Sequence, residues 1–138
     1  VGESYTSSKS LLLRANSVSG WPVIKMYGWG DHPMPLDWSS YDRFVVDLYL
    51  PEDLELNPES RDLQIMLEFV DSTKEGALYQ KFYTITLGES VCLSVPLSEI
   101  EENTQIELDN VNVWGLQVQS TGSFAIYIDN IMLVSEAR

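Results

Sequence analysis

The stretch FAIYIDNIML, Phe124 to Leu133, sets an acid and an amide inside an otherwise apolar strand. Side chains alternate across a strand, so Phe124, Ile126 and Ile128 form an inward row while Tyr127 and Asp129 face the other way. Ile131 and Leu133 resume inward packing only through a local irregularity at Asp129-Asn130, and a β-bulge is expected there. Asp129 therefore need not enter the core.

The same alternation runs through the rest of the chain. Ile65, Leu67 and Phe69 alternate with Gln64, Met66 and Glu68; Trp114, Leu116 and Val118 alternate with Gly115, Gln117 and Gln119. Phe44, Val46, Leu48 and Leu50 oppose Asp47 and Tyr49, and Val91, Leu93 and Val95 leave Cys92 facing out. Short β-branched and aromatic runs of this kind, separated by turn-forming clusters, mark an all-β sandwich or barrel. Eight strands are expected, over 10–15, 21–28, 43–50, 63–71, 78–87, 91–97, 111–119 and 124–134. The fifth and fourth of these flank STKEGA and read as a hairpin. Only SEIEEN, after Pro96, is expected to make a helical turn.

A length of 138 residues with 44% hydrophobic content suits a single domain, 1–138, with one core. No apolar run is long enough to span a membrane. The chain opens at Val1 without a basic, then apolar, leader and reads as an excised or processed piece. Twenty-one acids against eight bases give a net charge of −13, which repels nucleic acid and anionic membranes. The single cysteine, Cys92, excludes an internal disulfide and any multi-cysteine zinc site.

Catalysis finds little support in the residue pattern. The one histidine, His32, lies in the proline-rich turn WGDHPMP. Cys92 has no basic neighbour to activate it. Asp47 and Glu68 are a carboxylate pair of the type that could flank a glycosidic bond, but strand alternation gives no reason for them to converge. No catalytic residue is expected, and the chain is read as a non-enzyme. What stands out instead is a supply of aromatics (Trp21, Tyr27, Trp29, Tyr79, Tyr83) and of polar side chains (Gln64, Glu68, Gln80, Gln117, Gln119). Sugars present flat C–H faces ringed by hydroxyls, which such a combination can stack on and hydrogen-bond.

In their order along the chain, LDWSSYDRFVVDLYLPED, the strand pair around the Gly-containing acidic loop, SVCLSVPLSEI, VWGLQVQ and FAIYIDNIML resemble non-catalytic carbohydrate-binding modules. More narrowly, they resemble the galactose-binding-like jelly rolls attached to bacterial agarases, xylanases and β-glucanases. The resemblance implies a two-sheet antiparallel β-sandwich (jelly roll) in which WPVIKMYG, VNVWGLQVQ, LQIMLEFVD and LYQKFYTITL share one sheet. That sheet's outer face would hold the sugar. Trp21, Lys25, Tyr27, Gln64, Glu68, Gln117 and Gln119 would then be the binding residues, with Ile24 and Met26 as the alternative set from the first of these strands. Asp47 and Tyr49 would sit on the other sheet.

The resemblance also implies a structural calcium, with Asp129 as a ligand and Glu3, the only acid before Lys9, as its candidate partner. A strand-end turn residue satisfied by backbone amides is the competing reading of Asp129. The expected function is binding of a polysaccharide, neutral given the charge, by a secreted, extracellular or cell-surface module that targets an attached glycoside hydrolase. The alternative is a structural jelly roll that packs on a catalytic domain and binds no sugar. Neither nucleic acid nor a membrane is an expected partner.

Overall fold

The computed structural model describes residues 2–4, 11–18, 23–27, 37–52, 62–119 and 122–136, with side chains described at 11–14, 37–52, 62–118 and 124–136. The elements run β1 (Gly2–Ser4), β2 (Leu11–Val18), β3 (Val23–Tyr27), β4 (Arg43–Tyr49), β5 (Asp62–Val70), β6 (Leu78–Thr86), β7 (Ser90–Pro96), α1 (Leu97–Asn103), a 3-10 turn (Leu108–Asn110), β8 (Val113–Gln119) and β9 (Gly122–Val134). Four strands form a front sheet in the order β3-β8-β5-β6. The back sheet has five, in the order β1-β9-β4-β7 with β2 also on β9. Every pairing is antiparallel. No helix among the described residues is long and apolar enough to cross a membrane.

The inward rows expected from alternation are the core. Phe44, Val46, Leu48, Ile65, Leu67, Phe69, Trp114, Leu116, Val118, Phe124, Ile126 and Ile128 are all buried in one cluster. Each such side chain contributes roughly 1.5–3 kcal/mol through apolar burial. Aromatic contacts clamp the two layers: Phe44 of β4 meets Phe69 of β5 edge-on at 5.0 Å and Trp114 of β8 at 5.2 Å. Trp38 stacks on Phe44 at 5.7 Å and meets Phe69 edge-on at the same distance.

The strand β9 keeps this core through a bulge. Asp47 pairs with Asp129 and Val45 with Met132, so two steps along β4 match three along β9. The extra residue lets Ile128, then Ile131 and Leu133, all face inward, and Asn130 takes φ 48°. Asparagine tolerates this left-handed conformation better than other residues with a Cβ.

The DWSSYD segment closes one end of the sandwich. Asp37 Oδ1 accepts the Ser39 N–H and hydroxyl, forming a local turn. The buried Trp38 donates its N–H to the Leu108 carbonyl at 2.6 Å. Asp42 takes the Leu97 N–H on its carbonyl and the Glu136 N–H on its carboxylate, while donating its own N–H to the Val134 carbonyl. One short segment thus fastens the end of β9 and the start of α1.

The helix turn expected after Pro96 is α1, with Leu97 and Ile100 buried beneath it. It ends where Asn103 and Thr104 donate side-chain hydrogen bonds back to the Glu99 and Ile100 carbonyls, an alternative to continuing the helix. Strand β1 was absent from the expected set: at three residues, it carries too short a pattern to read.

Candidate functional site

Residues paired side by side in an antiparallel sheet share a face, so the register defines rows across the front sheet's outer surface. Gln117, Met66 and Phe82 make one row; Gly115, Glu68 and Gln80 make the next. Gln64 and Thr84 lie in the row on one side, in register with Gln119, and Val113, Val70 and Leu78 lie in the row on the other. Lys25 and Tyr27 pair with Gly115 and Val113, and so take register positions at the β3 ends of these rows.

Among the described side chains this outer face is most open along β6. Phe82 is 51% exposed, and Gln64, Leu78, Gln80 and Thr84 are exposed as well. Met66 and Glu68, although turned away from the core, are only 3% and 8% exposed. Glu68, expected among the sugar contacts, thus has the outward direction that alternation gives it but little exposed surface. Gln117 is half-buried, and Gln64 is the most accessible of the glutamines expected here whose side chains are described. Trp21 lies outside the described residues, as do Trp29 and His32. Lys25, Tyr27 and Gln119 are described in backbone only.

Strand β6 decides which aromatics reach the outer face. Tyr79 and Tyr83 pair with Phe69 and Ile65, which puts them on the inner side; Tyr79 belongs to the core and Tyr83 packs against it. Their expected role as platforms is corrected, and Phe82 takes the outward place. Lys81 also lies on the inner side, opposite Leu67, at the open edge of the sandwich. There Glu99 of α1 receives it, Nζ to Oε2 at 3.2 Å. Hydrogen bonds from the Tyr79 hydroxyl and from Lys81 hold the Glu99 carboxyl below its ordinary value. Burial, and then the bond to Glu99, push the Tyr79 phenol well up.

The metal expectation fares unevenly. Asp129, at the bulge, is a half-exposed hard oxygen donor, and its Oδ1 accepts the Asn130 N–H at 2.8 Å. Glu3 pairs with Leu133, four residues further along β9, on the order of 13 Å of strand from Asp129. The backbone register thus sets Glu3 apart from Asp129 along β9. The acid that lies beside Asp129 is Asp47, its lateral partner. Calcium takes roughly six to eight oxygens, and no group of three or more His, Cys, Asp or Glu side chains placed to hold a metal occurs among the described residues. The described side chains thus offer a beginning of such a site, without completing it.

The same geometry bears on hydrolysis. Asp47 lies on the outer face of the back sheet and Glu68 on that of the front sheet, so the core separates them and they cannot flank one bond. Cys92 is exposed, but partial burial of its thiol and the neighbouring Asp47 carboxylate push its pKa up, away from a nucleophilic thiolate.

No protein-family model and no curated protein matches this sequence at a significant level. Solved structures do match. A family 30 carbohydrate-binding module of a cellulosomal cellulase of Clostridium thermocellum aligns with TM-score 0.60 and 16% identity over 100% of this chain and 83% of its own. A family 11 carbohydrate-binding module of another cellulosomal cellulase of that organism aligns with TM-score 0.53 and 14% identity, over 100% and 96%. A family 11 module from the same organism, solved in complex with a β-1,3-1,4-mixed-linked tetrasaccharide, gives TM-score 0.52 and 15% identity over 100% and 98%. At these identities what is shared is the architecture: the chain has the two-sheet β-sandwich fold of these carbohydrate-binding modules.

Proposed function

We propose that the protein binds a neutral polysaccharide non-catalytically through the outer face of the front sheet, as a secreted module that keeps an attached glycoside hydrolase near its substrate. The observation that carries this reading is the exposed ring of Phe82 in one lateral row with Gln117, flanked by Gln64, Thr84 and Gln80. An apolar platform bordered by amides and a hydroxyl suits a sugar ring and its equatorial hydroxyls. The fold is that of modules from cellulosomal enzymes, one of them solved with an oligosaccharide. A net charge of −13 favours neutral chains over acidic ones.

Calorimetric titration against soluble glucans, xylans, galactans and mannans tests it. Binding to at least one of them, weakened by Phe82→Ala, is expected; a folded sample that binds none overturns the reading. The second reading, an accessory sandwich packed on a catalytic domain, is favoured by the cover over Met66 and Glu68. It predicts no saccharide binding and measurable association with that domain.

We also propose, from the resemblance, that Asp129 contributes an oxygen to a structural calcium at the bulge, with oxygens other than the Glu3 carboxylate completing it. Such an ion would tie β9 to its neighbours and add to stability without taking part in sugar recognition.

A further inference from the structure

The back sheet turns a second set of rings outward. Ser90, Tyr49, Tyr127 and Leu12 are paired in one lateral row across β7, β4, β9 and β2. Tyr49 and Tyr127 are 41% and 38% exposed, with ring centroids 6.1 Å apart and planes inclined by 27°. Leu12 is exposed at the end of the row. The next row carries Cys92, Asp47 and Asp129. The bulge then brings Asn130 over β4, where its Nδ2 donates to Asp47 Oδ2 at 2.7 Å. Tyr49, Tyr127, Ser90, Asp47, Asp129 and Asn130 line a groove of about 420 Å³, within the range of roughly 300–1,000 Å³ typical of small-ligand sites.

The bulge keeps Ile131 and Leu133 in the core, but the packing of the sandwich does not require two tyrosines stacked on the outer face beside it. The core takes Leu48 and Leu50, and Ile126 and Ile128, from either side of the tyrosines, which themselves face out. The two half-exposed rings pack on each other at the surface, leaving apolar ring area open to solvent. Beside them stand a carboxylate and an amide whose orientations are fixed by their mutual hydrogen bond. Bulges recur where a strand re-aims a side chain at a site, and left-handed residues with a Cβ concentrate at such places.

We propose that this groove is a second saccharide-binding site, on the face of the sandwich opposite the first. A sugar ring lies over Tyr49 and Tyr127, and Asp47 and Asn130 meet its hydroxyls as acceptor and as donor or acceptor. The ligand is neutral, since the Asp47 carboxylate and the chain's net charge of −13 disfavour an anionic one. With sites on opposite faces, one module engages two chains or two segments of one chain, and avidity replaces strength at either site.

The test is a residue-resolved NMR titration of the 15N-labelled chain, in calcium-containing buffer, with a β-1,3-1,4-mixed-linked tetrasaccharide, xylohexaose and mannohexaose as probes. Two sets of amide shifts are expected with at least one probe: one around Gln64, Phe82 and Gln117, the other around Tyr49, Tyr127 and Asn130. The double variant Tyr49→Ala/Tyr127→Ala should weaken the second set at least about tenfold, as loss of an aromatic anchor does elsewhere, and leave the first unchanged. Shifts confined to the first set overturn the second site and leave the proposed function standing. Shifts confined to the second set support it and overturn the front-sheet placement. No shifts with any probe overturn both. Concentration-dependent shifts at Tyr49 and Tyr127 without sugar identify a contact between copies of the chain and also overturn it.

Discussion

The Asn130 side chain donates to Asp47 Oδ2 at 2.7 Å, and the residue that makes this bond is also the described non-glycine residue with a left-handed backbone, at φ 48°. One asparagine therefore supplies both the turn of the bulge and the cross-strand tie that holds it against β4. The two functions can be separated by substitution. Asn130→Gly keeps the conformation and loses the tie, at about 0.5–1.5 kcal/mol. Asn130→Val adds a β-branched side chain where φ is positive, and costs on the order of 1–3 kcal/mol more. Urea midpoints at constant m-value measure both. A valine variant as stable as the glycine variant contradicts the account of the bulge.

Phe82 and Phe69 belong to neighbouring strands but have opposite surroundings. Phe69 is wholly buried and meets Phe44, Trp38 and Tyr79, whereas half of Phe82 is in solvent. Phe69→Ala is expected to lose about 3–5 kcal/mol. Phe82→Ala should shift stability by no more than about 0.5 kcal/mol, while weakening saccharide binding roughly tenfold. Denaturation and calorimetry on the same two samples check this; loss of stability without loss of binding in the Phe82 variant would place that ring in the scaffold.

At the open edge, Glu99 gives a pH dependence of known sign. Bonds from Tyr79 and Lys81 depress its pKa in the folded state, so the unfolded chain binds the proton more readily. Its contribution is present above the unfolded value, about 4.3, and is lost as pH falls through the lower folded one. The Glu99 and Lys81 side chains are 37% and 36% exposed, so solvent screening limits the effect to about 0.5 kcal/mol. Glu99→Gln is expected to be less stable than the parent at pH 7, with the difference shrinking as pH falls below the unfolded value, as read by thermal melts across that range. An undiminished difference at low pH argues against the ion pair.

The Tyr83 hydroxyl is buried with no hydrogen-bond partner among the described residues. An unpaired buried polar atom costs roughly 1–3 kcal/mol of desolvation. Tyr83→Phe removes the atom and keeps the ring, so it should be neutral or stabilising by up to about 1 kcal/mol. A clear drop in melting temperature would mean that the hydroxyl is bonded in solution.

The calcium proposal makes its own prediction. An ion bound only to the folded chain raises stability by mass action. Chelator should lower the melting temperature of the parent and have less effect on Asp129→Asn, while Glu3→Gln should behave as the parent does. Melting that chelator leaves untouched overturns the proposal.

How legible the fold was depended on how cleanly each strand segregated its side chains. In β4, β5, β8 and β9 the apolar members occupy alternate positions, and their inward rows follow from the sequence. The bulge was legible for the same reason: Ile128 and Ile131 are three apart, and only an extra residue reconciles them. Strand β6 defeats this logic because LYQKFYT has aromatics on both parities. Lys81 faces inward, since the edge of the sandwich lets it reach Glu99 on α1, and that partner is distant in sequence. Alternation also says which way Met66 and Glu68 turn, without saying what covers them. Tyr49 and Tyr127 were assigned outward from sequence, but their stacking depends on the β4–β9 register, which no local pattern encodes.

The bulge also changes what a length mutation does in β9. On either side of Asn130 the inward code is written in opposite phase, even-numbered positions before it and odd-numbered after. Removing the surplus residue itself would leave Ile128, Ile131 and Leu133 in plain alternation with Met132 still opposite Val45, whereas removing a residue elsewhere in the strand throws one half out of step with β4. Replacing residues within each half is a matter of local fit. The bulge acts as a phase corrector, absorbing the one residue that would otherwise set the two half-strands against one another.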